Sequence, residues 1–192
     1  MINSDLPRLL LASASPRRAE LLRAAGFSFD IHPANADESV HPGEQAAAYV
    51  HRVAEAKARV VVAHAATRVV LAADTTVVVN GEIFGKPEGK DDAVRMLRAL
   101  RGRRHEVMTG VTLAAAARMM TRVETTAVEF APLSDDEINW YVASGEPVDR
   151  AGAYAVQGLA SRFVTRVEGS YANVVGLPVS LVYDMLKEFA NR

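Results

Sequence analysis

At 192 residues, 49% of them hydrophobic, the chain is about as long as one ordinary domain and has enough apolar material to bury a core. It contains no cysteine, which excludes disulfides, thiolate metal sites and a cysteine nucleophile. A formal charge of −1 argues against the broad basic surface of a nucleic-acid binder, so any recognition of phosphate has to be local.

The opening MINSDLPRLLLASASPRR puts its arginines after a very short apolar run, unlike a secretory signal, and no stretch reaches the roughly 18 apolar residues of a membrane span. The expectation is a soluble, cytoplasmic protein with neither membrane nor nucleic-acid partner. Arg8 to Ala12 reads as a short buried strand. Ser15 is placed as a helix N-cap with Pro16 at the first helical position, and Gly26 stops that helix after Leu21, Leu22 and Ala25. Phe27 to Ile31 predicts a second strand, and the polar stretch His32 to Gly43, holding Asp37 and Glu38, a loop. A long helix is expected over Glu44 to Ala65, with Ala47, Val50, Val53, Ala54, Lys57 and Val61 on one broad face and Lys57 near its apolar edge.

Val69 to Ala73 and Thr75 to Val79 are strand signals on either side of Asp74. Asn80-Gly81 offers the two positive-φ residues of a tight hairpin, Glu82 to Phe84 returns as the partner strand, and Lys86-Pro87 ends it. A helix over Asp91 to Leu100 stops at Gly102. His105 to Leu113 and Arg122 to Phe130 predict two long strands that pair with one another. Ser134 to Glu137 spells a capping box for a helix running to Ser144 and closed by Gly145. Glu146 to Gly158 reads as a Gly-rich polar loop, Phe163 to Val167 as the last strand, and Leu177 to Phe189 as a C-terminal helix entered through Pro178. Strands alternating with helices predict an α/β fold, and the absence of a linker, repeat or low-complexity segment predicts a single domain over 1–192.

Several residue groups could carry chemistry. Ser13, Ser15, Arg17 and Arg18 surround a helix N-terminus, where free N–H groups and the helix dipole favour an anion and arginine adds bidentate phosphate contacts. The same residues read equally as an ordinary N-cap followed by solvated arginines. Asp74 interrupts an apolar run, and a carboxylate there must be paired, hydrogen-bonded or metal-bound, or else turn to solvent at a strand end. Asp37 and Glu38 could add oxygen ligands for a hard cation such as Mg²⁺; taken alone they are surface charges. Gly81 to Pro87 resembles a Walker A loop but is one residue short and has Pro87 in place of the Ser or Thr that binds magnesium, so the P-loop reading is rejected; Lys86 could still reach a phosphate. No GxGxxG, HExxH or GxSxG pattern occurs. The segment Asp149 to Gly158 could approach a nucleobase and read its edge through Gln157, although bland loop structure is the better reading of those residues alone.

The blocks LASASPRRAELL (11–22), AADTTVVVNGEIFGKP (72–87), DRAGAYAVQG (149–158) and EGSYANVVGLP (168–178), with YVHRVAEAKA and LSDDEINWYV between them, resemble the signature blocks of the Maf family, in the expected order and across nearly the whole chain. That resemblance implies a mixed, twisted β-sheet flanked by helices, similar to the fold of the inosine triphosphate pyrophosphatases. It also implies a divalent metal, Mg²⁺ or Mn²⁺, a homodimer, and hydrolysis of a nucleoside triphosphate to its monophosphate and pyrophosphate. Carried over by position, Asp74 matches the proton acceptor that activates water. Glu38, Lys57 and Lys86 match the acidic and basic residues lining the site, with Glu38 and Asp74 as the metal ligands. Ser13, Arg17 and Arg18 match the phosphate-facing motif.

Arg17, Thr75 and Gln157 are similar to the branch that acts on dTTP and UTP, whereas the 7-methyl-GTP branch shows Trp, Gln and Glu at those places. Arg150 departs from the lysine common in that branch. Two alternatives stand beside this reading: a 7-methyl-GTP pyrophosphatase of the same fold, against which positions 17, 75 and 157 discriminate, and a non-catalytic nucleotide-binding regulator of septum formation, against which Asp74 argues.

Overall fold

The computed structural model describes residues 6–65, 68–116 and 118–190. In chain order the elements are β1 (Leu9–Leu11), α1 (Pro16–Ala24), β2 (Phe29–Ile31), α2 (Ala46–Val62), β3 (Val70–Val79), β4 (Glu82–Phe84), α3 (Lys90–Leu100), β5 (Arg104–Ala115), β6 (Arg118–Phe130), α4 (Asp135–Ala143), β7 (Val164–Glu168), α5 (Tyr171–Val175) and α6 (Val179–Ala190), with 3-10 turns at Ala151–Ala153 and Leu159–Arg162. The sheet runs β2-β1-β3-β5-β6-β7, and β4 also pairs with β3. β1 is parallel to β2 and to β3, while β4 on β3 and β7 on β6 are antiparallel, so the sheet is mixed as the resemblance implied.

The chain divides into two compact units. The first comprises Met1–Asp74, Thr109–Glu124 and Gly176–Arg192, and the second Thr75–Met108 and Thr125–Val175. In the first, alternate residues of β1 and β3 serve two separate cores. Leu9, Leu11, Leu71 and Ala73 pack with Leu22 of α1 and with Val182, Met185 and Leu186 of α6. Leu10, Ala12, Val70 and Ala72 pack with Ala58 and Val61 of α2. Successive strand residues point to opposite faces, so a strand covered on both sides has no polar alternation, which is why β1 reads as an unbroken apolar run. Each fully buried Leu or Val of these two layers contributes about 1.5–3 kcal/mol. The same parity sets Asp74 on the face of Val70 and Ala72, the face that α2 covers. Gly110 of β5 has no room for a side chain: a Cβ there would lie 2.1 Å from the Val50 carbonyl oxygen, so α2 rests directly on backbone.

The second unit is built around Phe84, Leu97, Leu100, Val128, Phe130, Tyr141 and Phe163. Asn80 (φ 52) and Gly81 (φ 80) make the tight turn between Val79 and Glu82, as their residue types require. The capping box forms as expected: the Ser134 side chain accepts from the Glu137 N–H, and the Glu137 carboxylate accepts from the Ser134 N–H at 2.7 Å.

Three differences from the sequence reading have local causes. Ala47 is exposed, and Tyr49 is buried in its stead on the inner face of α2. The two central strands run longer than predicted, because Ala114 and Met119 pack into one core of the first unit and Ala115 and Met120 into the other. Helix α5 was not anticipated; it is a single turn opened by Ser170, whose Oγ accepts from the Asn173 N–H at 3.2 Å, and five residues carry no readable period.

Candidate active site

Within the first unit, β1 leads through the short connection 12–15 into α1. Ser15 is the N-cap residue, with φ −67 and ψ 116, and Pro16 follows at the start of the helix, but the Ser15 side chain caps nothing. Ser13 Oγ instead accepts from the Ser15 N–H at 3.2 Å and from Arg18 Nη1 at 3.0 Å. Arg18 also donates through Nε to the Gly176 carbonyl at 2.9 Å, across 158 residues of sequence. Arg18 is buried, and burial lowers its pKa, with the charge of Asp74 acting in the opposite direction. Arg17 is half-buried on the same first turn. The helix start thus has a buried guanidinium beside it and an N-cap serine whose side chain makes no capping bond, a setting suited to an anion.

Helix α2 brings Lys57 to the carboxylates. Its Nζ lies 2.8 Å from Asp74 Oδ1 and 3.0 Å from Glu38 Oε1. The Lys57 and Asp74 side chains are 9% and 7% exposed and that of Glu38 is 49% exposed, so this cluster opens on the side of the Glu38 loop. The loop is held by α2 residues that the sequence reading gave no role. The Tyr49 hydroxyl donates to the Glu38 carbonyl at 3.0 Å, Arg52 Nη2 donates to the Ser39 carbonyl at 2.8 Å, and Arg52 also grips Glu44 at 2.7 and 2.8 Å. Arg52 holds the Glu44 carboxyl down at about 2. Tyr49 and Arg52 lie one to two turns before Lys57 on one helix, which was the available signal. Asp37 is engaged locally, accepting from the Ser39 N–H at 2.9 Å in a turn of its own.

Among the described residues Asp74 Oδ2 is buried with no hydrogen-bond partner, and no group of three or more His, Asp or Glu side chains could hold a metal. A buried carboxylate oxygen without a protein partner is a place for a ligand. One or two carboxylates together with phosphate oxygens are the usual donor set for Mg²⁺, so Asp74 and Glu38 fit a hard divalent cation.

The remaining expected residues lie in the second unit. Thr75 is half-buried, directly after Asp74 in β3. Lys86 is exposed and ion-paired with Asp149, and the Gly152 N–H donates to the Gly85 carbonyl at 3.0 Å, which ties the Lys86 turn to the Asp149 segment. Asp149 and Ala153 adopt positive φ, 64 and 59, a conformation that costs non-glycine residues energy and concentrates at functional sites. Arg150 keeps Nε and Nη1 buried with no hydrogen-bond partner among the described residues. Gln157 is exposed at the third position of a turn closed by the Gly158 N–H on the Ala155 carbonyl at 3.0 Å. Ser13, Arg17, Arg18, Glu38, Lys57 and Asp74 therefore gather in one unit, and Thr75, Lys86 and Gln157 belong to the other.

The profile of the family described as Maf-like protein matches residues 8–189, so the chain belongs to that family. It is 55% identical over 185 residues, 94% of this chain and 88% of the other, to the dTTP/UTP pyrophosphatase of Anaeromyxobacter sp. (strain Fw109-5). It is 51% identical over 190 residues, 97% and 94% of the two chains, to the dTTP/UTP pyrophosphatase of Hahella chejuensis (strain KCTC 2396). In fold it is similar to the Staphylococcus aureus Ham1 protein, with a TM-score of 0.56 over 94% of this chain and 98% of that one, at 14% identity.

Proposed function

We propose that this chain hydrolyses dTTP and UTP between the α- and β-phosphates, releasing the nucleoside monophosphate and pyrophosphate. The observation that carries the reading is the buried Asp74 carboxylate, one oxygen of which is held by Lys57 while the other has no partner among the described residues. Relatives at about half identity along nearly the full chain, named for dTTP and UTP, support the substrate.

In this mechanism Asp74 takes the proton of the attacking water through Oδ2, and Lys57 keeps the carboxylate oriented. Arg17, the first turn of α1 and Lys86 offset phosphate charge, and Arg18 supports Ser13 in that turn. Thr75 and Gln157 read the base. A divalent cation, Mg²⁺ or Mn²⁺, held by Asp74 and Glu38, would supply Lewis acidity and charge neutralisation when bound. The reading includes a homodimer and a cytoplasmic location; no described helix is long and apolar enough to cross a membrane.

The test is pyrophosphate release across a panel of dTTP, UTP, CTP, GTP and 7-methyl-GTP, with and without added Mg²⁺ or Mn²⁺. Preference for dTTP and UTP is the expected result. A preference for 7-methyl-GTP, or no release from any triphosphate, would overturn the assignment.

A further inference from the structure

The turn that presents Gln157 is anchored on both sides by one side-chain pair, Tyr141 and Glu146. The Tyr141 hydroxyl donates to Glu146 Oε1 at 2.9 Å and accepts from the N–H of Ala155, the first residue of the turn, at 3.2 Å. Glu146 Oε2 accepts from the Leu159 N–H at 2.9 Å and Oε1 from the Ala160 N–H at 3.2 Å, just after it. The Glu146 carboxylate thereby satisfies the first N–H groups of the 3-10 turn Leu159–Arg162, a charge-assisted arrangement that also suits the end of a helix carrying partial positive charge. Gly158 completes the fit: a Cβ there would meet Glu146 Oε2 at 2.1 Å and its carboxyl carbon at 2.5 Å, so the carboxylate rests against the turn itself. Tyr141 is fully buried and belongs to the apolar core with Phe163, which gives the pair a rigid base.

We infer that Glu146 and Tyr141 are positioning residues for nucleobase selection, acting through the backbone of residues 155–160 to hold the exposed Gln157 side chain in register. This rests on the assignment of Gln157 as the base-reading residue. Neither residue belongs to the Asp74 cluster, so their loss should act on recognition and leave the hydrolytic step in place. A selectivity side chain on a loosened turn still meets the preferred base but also tolerates others, because its position no longer excludes them.

Glu146→Gln keeps the volume and replaces one acceptor oxygen by a donor, and Gly158→Ala displaces the carboxylate from the other side. Both are expected to raise KM for dTTP and UTP by about 10-fold, with kcat changed by no more than about twofold, and to narrow the preference over CTP and 7-methyl-GTP. Amide exchange at Leu159 and Ala160, followed by NMR, should accelerate in Glu146→Gln while the melting transition stays cooperative. Gln157→Ala, measured beside them, separates the two claims. If Gln157→Ala leaves the substrate preference untouched, the base-reading assignment fails. If Gln157→Ala narrows the preference but Glu146→Gln and Gly158→Ala do not, the positioning role is overturned. An equal fall in kcat on every substrate with preference intact overturns it as well, since that is what a merely structural defect would give.

Discussion

Lys57 and Asp74 form a buried ion pair, Nζ to Oδ1 2.8 Å, that engages one oxygen of the carboxylate and leaves Oδ2 without a partner among the described residues. A base must keep lone pairs available while being held still, and this division of the two oxygens does both. Asp74→Asn retains an acceptor for Lys57 but removes charge and basicity. It should lower pyrophosphate release by about 10²–10⁴-fold with a melting curve close to the parent's. Activity within a few-fold of the parent would remove Asp74 from the mechanism.

Removing the cation instead isolates the buried anion. Lys57→Met should cost about 3 kcal/mol of stability, because a nearly inaccessible carboxylate is left unpaired, eased in part by the exposure of Glu38. Adding Asp74→Asn to Lys57→Met should restore much of that stability and none of the activity. Denaturant titrations of the two single variants and the double variant check this, and simple additivity of the stability losses would contradict it.

The two arginines of the first helical turn should separate under mutation. Arg18 is buried on Ser13 Oγ and the Gly176 carbonyl, so Arg18→Ala should lower the melting temperature and weaken all substrates alike, at a stability cost of roughly 3 kcal/mol. Arg17 is half-buried, and Arg17→Ala should raise KM with little change in melting. If both variants melt alike, the structural part given to Arg18 is wrong.

Gln157→Glu tests the base-reading assignment by chemistry. An amide presents a donor and an acceptor to the O4 and N3–H edge shared by thymine and uracil, and an ionised carboxylate presents acceptors only. The lost donor should cost about 1–3 kcal/mol, a roughly 5- to 150-fold fall in kcat/KM, on dTTP and UTP together. An unchanged ratio of pyrimidine to 7-methyl-GTP activity would exclude Gln157 from base recognition.

A pH effect on stability follows from His105, which is 2% exposed with Nε2 2.9 Å from the Tyr154 hydroxyl and whose pKa burial pulls down to about 4. In the unfolded chain the same imidazole titrates near about 6.5. Between these values the unfolded state binds a proton that the folded state refuses, so stability is level above about pH 6.5 and falls as pH drops toward 4, by up to about 3 kcal/mol. His105→Gln should flatten that slope. Urea midpoints at pH 7, 5.5 and 4.5 decide it, and identical slopes in parent and variant would show that His105 does not carry the effect.

What could be read in the sequence was what local chemistry dictates. Asp74 stood out because a carboxylate in an apolar run needs a partner, Asn80-Gly81 because few residues accept its backbone, and Ser134 to Glu137 because a capping box closes within four residues. Ser13, Arg17, Arg18 and Glu38 are candidates by residue type, but only the family resemblance sets them above an ordinary N-cap and surface charges and adds Lys57, since nothing local says that Arg18 reaches Gly176 or that Lys57 meets Glu38. The supports were missed for a different reason. Arg52, Tyr49, Tyr141 and Glu146 act on backbone groups of other segments, and an acceptor carbonyl or donor N–H leaves no mark in its own side chain. The boundary between the two units falls inside β3, β5 and β6, between Asp74 and Thr75, Met108 and Thr109, and Glu124 and Thr125, where no turn or linker marks it.

Where α2 meets Gly110 there is no side chain to yield, and the gap between helix and strand is set by main-chain atoms alone. Val50, at that point, and Lys57 are seven residues apart, about two turns or 10 Å along a nearly rigid rod. Any wedge inserted at the seat would be transmitted along the rod with little loss, and a displacement of about half an ångström is already the tolerance of a working site. The accuracy with which the ammonium meets Asp74 is in this sense machined elsewhere, by the absence of a single methyl group.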